Sequence, residues 1–448
     1  MKYKGNKKHW LFIAVLLVCG SFSSLRAQEL LSKEEAILMT LENNYDIKLT
    51  ENSLETAKNN ASVYNSGYLP TLFTNAGGSF DKKDTETTLA NGNENVVDGA
   101  ETKNFNASIG LDYVLFNGLG RFYTYKKLKE NYNLSELQAR DVMENTLITL
   151  FSAYYEVARL SENVNNQKET VEISKQRLKR AAYGSEYGQT TKLDVLNADV
   201  DLNNDSITYL SLIRELANAK RDLNIVLGRD VNTEVEIDTT VTYLEDLSLD
   251  TILSKTLKNN VGYLQTKKAL ELSEYDVKIN NSGWMPTVSL TSSYAWNNRI
   301  NDPTNPFGPI ALTQTGINAG VAMRWNLFDG GNTTTRVRNA KIAVDRIETQ
   351  QEQQIELLKR NVNNSWELYQ NALFTLKVQK VNVETNKLNF QRSEEYYRLG
   401  QISSIDFRLA QVNLVNAELT LSLAKYAAKN AELALLKLSG EIIANKQF

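Results

Sequence analysis

Cysteine and histidine each occur once in this chain, as Cys19 and His9, and both fall within the first 27 residues. With that segment removed, disulfides, thiol nucleophiles, imidazole bases and His- or Cys-ligated metals are excluded. Proline is equally scarce, and none of the 5 lies between Gly118 and Tyr183 or between Gly330 and Tyr397, so nothing interrupts a helix there. Beyond the N-terminal segment no apolar run approaches the roughly 18 residues that a membrane helix requires. Any passage through lipid must therefore use strands. A phosphate-binding Gly-x-x-x-x-Gly-Lys loop is also missing, since Gly184 and Gly188 lead into Gln189-Thr190-Thr191. The net charge is −3, and losing Lys2, Lys4, Lys7, Lys8 and Arg26 with the first residues leaves the remainder more acidic. That balance argues against a nucleic-acid partner. No catalytic residue, cofactor or metal site is expected.

What is present begins with four lysines, the apolar run Trp10 to Cys19, and Leu25-Arg26-Ala27, the layout of a secretory signal peptide over residues 1–27. Cleavage near Ala27 is expected. Acylation at Cys19 is the alternative, although Val18 stands where that processing takes a small residue. The rest of the chain reads as one unit written twice. Asn65-Ser66-Gly67-Tyr68-Leu69-Pro70-Thr71 recurs as Asn281-Ser282-Gly283-Trp284-Met285-Pro286-Thr287, and the same offset brings Leu41, Asn43 and Asn44 onto Leu257, Asn259 and Asn260. A slightly shorter offset carries Leu115-Phe116-Asn117-Gly118 onto Leu327-Phe328-Asp329-Gly330, Gly188-Gln189 onto Gly400-Gln401, Asp194 onto Asp406 and Gly228 onto Gly440. So long a period indicates two equivalent halves rather than a solenoid. We expect them over residues 28–240 and 241–448.

Each half contains two stretches that alternate with period two, each expected to be about ten residues long, the span of a tilted membrane strand. In the second half Val288, Leu290, Tyr294 and Trp296 oppose Thr287, Ser289, Thr291 and Ser293, while Ile317, Ala319, Val321, Met323, Trp325 and Leu327 oppose Asn318, Gly320, Ala322, Arg324 and Asn326. Phe105 to Leu115 repeats this in the first half, and Leu72 to Phe80 does so more weakly. A water-soluble sheet with one face on a core shows the same alternation. The helices tip the balance. Ile355, Val362, Tyr369, Leu376, Val383, Phe390 and Tyr397 recur every seven residues, as do Met143, Leu150, Val157, Val164, Val171 and Leu178, giving a coiled-coil seam in each half. Each such helix reaches about 100 Å at 1.5 Å per residue. Return helices are expected over Thr191 to Leu227 and Ser403 to Leu438, with further helices over Ser32 to Asn65 and Leu247 to Asn281.

Strand entries at Tyr68-Leu69-Pro70-Thr71 and Trp284-Met285-Pro286-Thr287, exits at Leu115-Phe116-Asn117-Gly118 and Trp325-Asn326-Leu327-Phe328-Asp329-Gly330-Gly331, and turns at Gly188-Gln189-Thr190-Thr191-Lys192-Leu193-Asp194 and Gly400-Gln401-Ile402-Ser403-Ser404-Ile405-Asp406 recur in the same order. In these motifs the chain resembles the TolC-type outer-membrane efflux protein family over essentially its whole mature length. The resemblance implies a mainly α fold with β: long antiparallel helical hairpins forming an α-barrel, plus four membrane strands per protomer that complete a trimeric twelve-stranded β-barrel. Each half would hold a helix, a strand hairpin (70–116 or 286–328) and a long helical hairpin (118–228 or 330–440). Four strands alone would leave open edges in lipid, and closed barrels begin at about eight. The family implies an outer-membrane location with a large periplasmic portion. It also implies a passive duct for efflux or type I secretion, served by a periplasmic adaptor and an inner-membrane pump.

Two sets of residues are candidate sites. Gly188, Gln189, Thr190, Gly400, Gln401 and Ile402 resemble the family's adaptor-docking tips, although a merely structural turn is the plainer role. Asp194 and Asp406 follow each tip, and threefold symmetry would gather six carboxylates near the tunnel entrance, where acid rings favour cations. Asp201 and Asp205 would extend that stripe in the first copy, whereas the acid some family members carry three residues further on is Asn197 and Leu409 here. Lys192 and Arg408 are placed to pair with Asp194 and Asp406 and hold the entrance shut, the alternative to a selectivity ring. The competing reading of the whole chain is a non-channel periplasmic coiled-coil adaptor or structural protein. Such a protein has no use for two hairpins of amphipathic strands.

Overall fold

A computed structural model describes residues 30–244, 247–303 and 309–443, so the expected signal segment and the fate of Cys19 lie outside the described residues. In chain order the elements are α1 (Lys33–Asn43), α2 (Tyr45–Asn60), β1 (Thr71–Thr88), β2 (Glu94–Asn117), α3 (Gly120–Glu186), α4 (Lys192–Val226), α5 (Leu249–Asn259), α6 (Val261–Asn281), β3 (Thr287–Asn301), β4 (Ala311–Arg324), α7 (Asn332–Arg398) and α8 (Ser404–Leu438). They divide into two compact units. One takes the described residues up to Leu49, Val142–Asn260 and those from Leu358 on; the other takes Thr50–Asp141 and Val261–Leu357.

The second unit holds one antiparallel sheet in the order β1-β2-β3-β4, with β1 and β4 as open edges. Its register places most of the large apolar residues of the strands on one face, with Phe73, beside Gly110, on the other. Thr74, Ile109, Tyr294 and Ile317 form one cross-strand row, and Tyr113, Leu290 and Val321 lie in another. The opposite face carries Asn106, Asn297 and Gln314 in one row and Ser293 and Asn318 beside Gly110 in another. Ile109, Tyr294, Ile317 and Val321 are all more than half exposed, so this apolar face covers no core of its own. The strands run 18, 24, 15 and 14 residues, longer than the ten or so expected. Ladder bonds continue into segments such as Asp81 to Lys83, where both faces are polar and alternation no longer signals a strand. β4 also stops earlier than expected. Trp325 lies beyond it and donates its indole N–H to the Trp284 carbonyl at 3.1 Å.

At the strand exits the chain turns sharply. Gly118 has φ +65°, and a Cβ there would sit 2.6 Å from the Ser282 carbonyl oxygen, so only glycine fits. Asn117 then accepts from the Arg121 amide at 3.2 Å and Asp329 from the Thr333 amide at 2.8 Å, capping α3 and α7.

In the first unit the seven-residue seams are buried: Leu150, Val157 and Val362 are fully enclosed and Tyr369 is 1% exposed. Leu147, Phe151, Tyr154 and Tyr155 of α3 pack with Leu223 of α4 and Tyr426 and Leu433 of α8 in the largest cluster. The irregular segment after α4 is tied across these helices. Leu31 donates to the Glu236 carbonyl at 2.8 Å, and the Tyr154 hydroxyl donates to the Leu31 carbonyl at 2.8 Å while accepting from the Asp238 amide at 3.1 Å. Two helices expected to be continuous are broken, at Asn44 and at Asn260, where ψ is 136° and 122°. Each asparagine donates its side-chain amide across the unit, Asn44 to the Val226 carbonyl at 2.8 Å and Asn260 to the Leu438 carbonyl at 3.1 Å.

Candidate functional site

Both long helices finish in the same local structure. At the end of α3 the Gly188 amide donates to the Ser185 carbonyl and the Gln189 amide reaches back to Gly184 at 2.7 Å; at the end of α7 Gly400 donates to Tyr397 and Gln401 to Tyr396 at 2.8 Å. These are Schellman turns. Gly188 and Gly400 hold φ of +72° and +74° with open space where a side chain would project, so backbone strain alone selects glycine there. Two residues later a capping box starts the return helix. Thr191 and Ser403 accept from the amides of Asp194 and Asp406, while each aspartate accepts back from the cap residue's amide and hydroxyl, at 2.7 Å from the hydroxyl in both copies.

Asp194 and Asp406 are both engaged by their own caps, and the Thr191 hydroxyl and then its amide hold the Asp194 carboxyl below its ordinary value. Neither acid receives the expected cation. Among the described residues Lys192 forms no ion pair, and Arg408 points elsewhere: its guanidinium grips Asp205 with both Nη atoms, at 2.7 and 2.8 Å, and Nε lies 3.8 Å from Asp201. The pairing of Arg408 with Asp194 or Asp406 is thus corrected. Arg408 lies on the side of α8 that meets α3 and α4, one helical turn above the cap, where Asp205 is 7% exposed.

Around that pair the helices are cross-linked. Asp205 also accepts from the Ser174 hydroxyl at 2.6 Å, Gln411 donates to the Thr170 carbonyl at 3.2 Å, and Arg177, 2% exposed, bonds Asp201. Asp201 and Asp205 are therefore consumed by arginines and do not extend an acidic stripe. Arg177 had no sequence signal of its own. Counting outward from the Gly188 turn, however, sets it opposite Asp201 on the return helix, which is where the acid stands.

Between the two turns lies a cavity of about 960 Å³. Gly188, Gln189, Thr190, Asp194, Gly400 and Ile402 line it, so the structure gathers most of the expected tip residues around one space; Gln401 is exposed beside it. Arg180 holds the two tips together, donating to the Arg398 carbonyl at 2.8 Å with its guanidinium 4.8 Å from the Tyr397 ring centre. Tyr397 in turn stacks on Phe407 at 4.8 Å. No group of three or more metal-ligating side chains occurs among the described residues, and no described helix is long and apolar enough to cross a membrane.

The profile of the family described as "Outer membrane efflux protein" matches residues 36–229 and 252–441. Outer membrane efflux protein BepC of Brucella suis is 20% identical over 437 residues, covering 97% of this chain and 91% of its own. Among solved structures, the Campylobacter jejuni CmeC outer membrane channel superposes with a TM-score of 0.77 at 19% identity, over 91% of this chain and 85% of that one. The outer membrane protein VceC of Vibrio cholerae gives 0.73 at 15% identity, over 91% and 95%.

Proposed function

This chain belongs to the outer membrane efflux protein family, and on that premise we propose that it is the passive exit duct of an export system, assembled as a homotrimer. The observation that carries the reading is the sheet: one in-register apolar face without a core to cover, and two open edges. In lipid such a sheet is stable only when its edges are closed by further strands. Three copies supply the twelve strands of one barrel, with the polar row of Asn106, Asn297 and Gln314 facing its lumen.

The duct has a large periplasmic portion, and the two halves, 28–240 and 241–448, act as equivalent walls. With no nucleotide-binding loop in the sequence, the driving force comes from an inner-membrane pump reached through a periplasmic adaptor. The tips at Gly188-Gln189-Thr190 and Gly400-Gln401-Ile402 are the docking points. Asp194 and Asp406, fixed by their capping boxes, present carboxylates at the entrance beside Lys192, while Arg408 and Asp205 keep α8 closed on α3 and α4.

The test is physical. The purified protein should migrate as a heat-modifiable oligomer from the outer-membrane fraction and give single-channel conductance in a planar bilayer. A monomer that leaves the bilayer silent would restore the reading as a coiled-coil adaptor or structural protein.

A further inference from the structure

The polar face of the sheet is interrupted by an aromatic ring and a carboxylate that stand side by side. Across the rungs from Thr71 to Gly77 that face is built of threonine, serine, asparagine, glutamine, alanine and glycine, with Phe73 and Asp112 as the exceptions. Phe73 lies opposite Gly110, and a Cβ added to that glycine would sit 2.6 Å from the ring's Cε2. The ring therefore leans from β1 across β2. Gly110 has no positive φ, so the approach of the ring is what demands glycine there. Gly110 is buried beneath the ring, yet Phe73 itself stays 40% exposed.

Asp112 follows Gly110 on the same face and is the diagonal neighbour of Phe73, about 7–8 Å away between backbones. It is exposed, and among the described residues its carboxylate takes no hydrogen bond and no ion pair. Arg324, on the same face in the rung of Thr287, donates to Asn326 instead. The face beside the pair is open. Gly320 shares the rung of Asp112 and Thr291, Gly316 that of Ala295, and neither has a positive φ or any atom within 4 Å of where a Cβ would project. Neither a turn nor packing within the chain requires these glycines, and a glycine inside a strand commonly marks the close approach of a ligand or another backbone.

We propose that Phe73 and Asp112 form a binding site, one in each copy, for organic cations that carry an aromatic or apolar body. The exposed face of the ring attracts the cation and covers its apolar surface, and the unpaired carboxylate balances its charge. A hydrated alkali ion gains from the acid alone. The inference rests on the reading of the sheet as a barrel wall whose polar face lines the lumen. The plainer role of Phe73, covering a strand glycine, calls for an apolar side chain but leaves the unpaired acid beside it without a purpose.

Block of single channels tests the site. The purified protein in a planar bilayer is exposed to tetraphenylphosphonium and, separately, to tetramethylammonium, which has the charge without the rings. Tetraphenylphosphonium should interrupt the current at concentrations roughly tenfold lower. Asp112→Asn and Phe73→Ser should each raise its half-blocking concentration roughly three- to tenfold. Phe73→Leu still covers Gly110, so it assembles even where Phe73→Ser does not, and it should weaken the block in the same direction. A parent channel blocked no better by tetraphenylphosphonium than by tetramethylammonium overturns the site. Block that survives Asp112→Asn and Phe73→Leu unchanged overturns it equally, and block that responds to Asp112→Asn alone overturns the part given to the ring. In each of these cases the channel itself stands, whereas a parent protein that forms no channel removes the barrel reading and this site with it.

Discussion

Asn44 and Asn260 do the same work in the two halves of the chain. Each ends one helix, donates its side-chain amide to the last carbonyls of a return helix, and in the case of Asn44 also caps the next helix by accepting from Asp46 at 2.9 Å and Ile47 at 3.3 Å. The repeat aligned these residues, yet the helix pattern ran straight through them, because asparagine breaks a helix only where its side chain finds such partners. Asn44→Ala and Asn260→Ala should each cost about 1–2 kcal/mol, read from the temperature at which the folded oligomer is lost; unchanged stability in both would mean that the breaks are set elsewhere. The pair Lys429 and Glu432 is more demanding. Both are fully buried, 2.6 Å apart, with Lys429 donating to the Thr242 carbonyl at 2.9 Å and Glu432 accepting from the Leu244 amide at 3.0 Å. Lys429→Met strands a buried carboxylate and should destabilise by roughly 3–5 kcal/mol. Lys429→Met with Glu432→Gln should recover part of that loss, and a double variant no better than the single one would show that the segment at Thr242 depends on the lysine itself. The pair was invisible in the sequence, where two charges three residues apart on a helix ordinarily mark a solvated face.

At the scale of elements, legibility depended on whether burial imposed a period. The buried seams of α3 and α7 were readable because Leu150, Val157, Val362 and Tyr369 must face inward, and the faces of the sheet were readable because Ile317 and Val321 share a side that excludes Asn318 and Ala322. Strand ends were not readable, since the polar ribbon beyond Phe80 is held by backbone bonds that leave no period in the side chains. The faces make a sharp prediction. Val321 is 65% exposed on the apolar side and Ala322 lies on the other. Val321→Arg should therefore cost about 2–4 kcal/mol and impair insertion, while Ala322→Arg should assemble. Equal assembly of the two would show that the apolar face does not meet lipid.

For the whole molecule, the structure separates two groups of charged residues that the sequence had merged. The sequence singled out Asp194 and Asp406, but nothing in it showed that each would be occupied by its own cap, or that Arg408 would bypass both for Asp205. Charge placement along a helix is legible; which of several reachable partners an arginine takes depends on how three helices pack. We propose that closure belongs to the buried group of Arg408, Asp205, Ser174 and Gln411, and charge at the mouth to Asp194 and Asp406. Arg408→Ala leaves Asp205 enclosed without its bidentate partner and removes the link from α8 to α4, so the resting conductance in a planar bilayer should rise while cation preference stays near that of the parent protein. Asp194→Asn with Asp406→Asn should do the reverse, because each amide oxygen still accepts at the cap while the carboxylate charge is gone. Cation preference and block by multivalent cations should fall with little change in resting conductance. If Arg408→Ala left conductance unchanged and the double aspartate variant raised it, closure would belong to the capping acids.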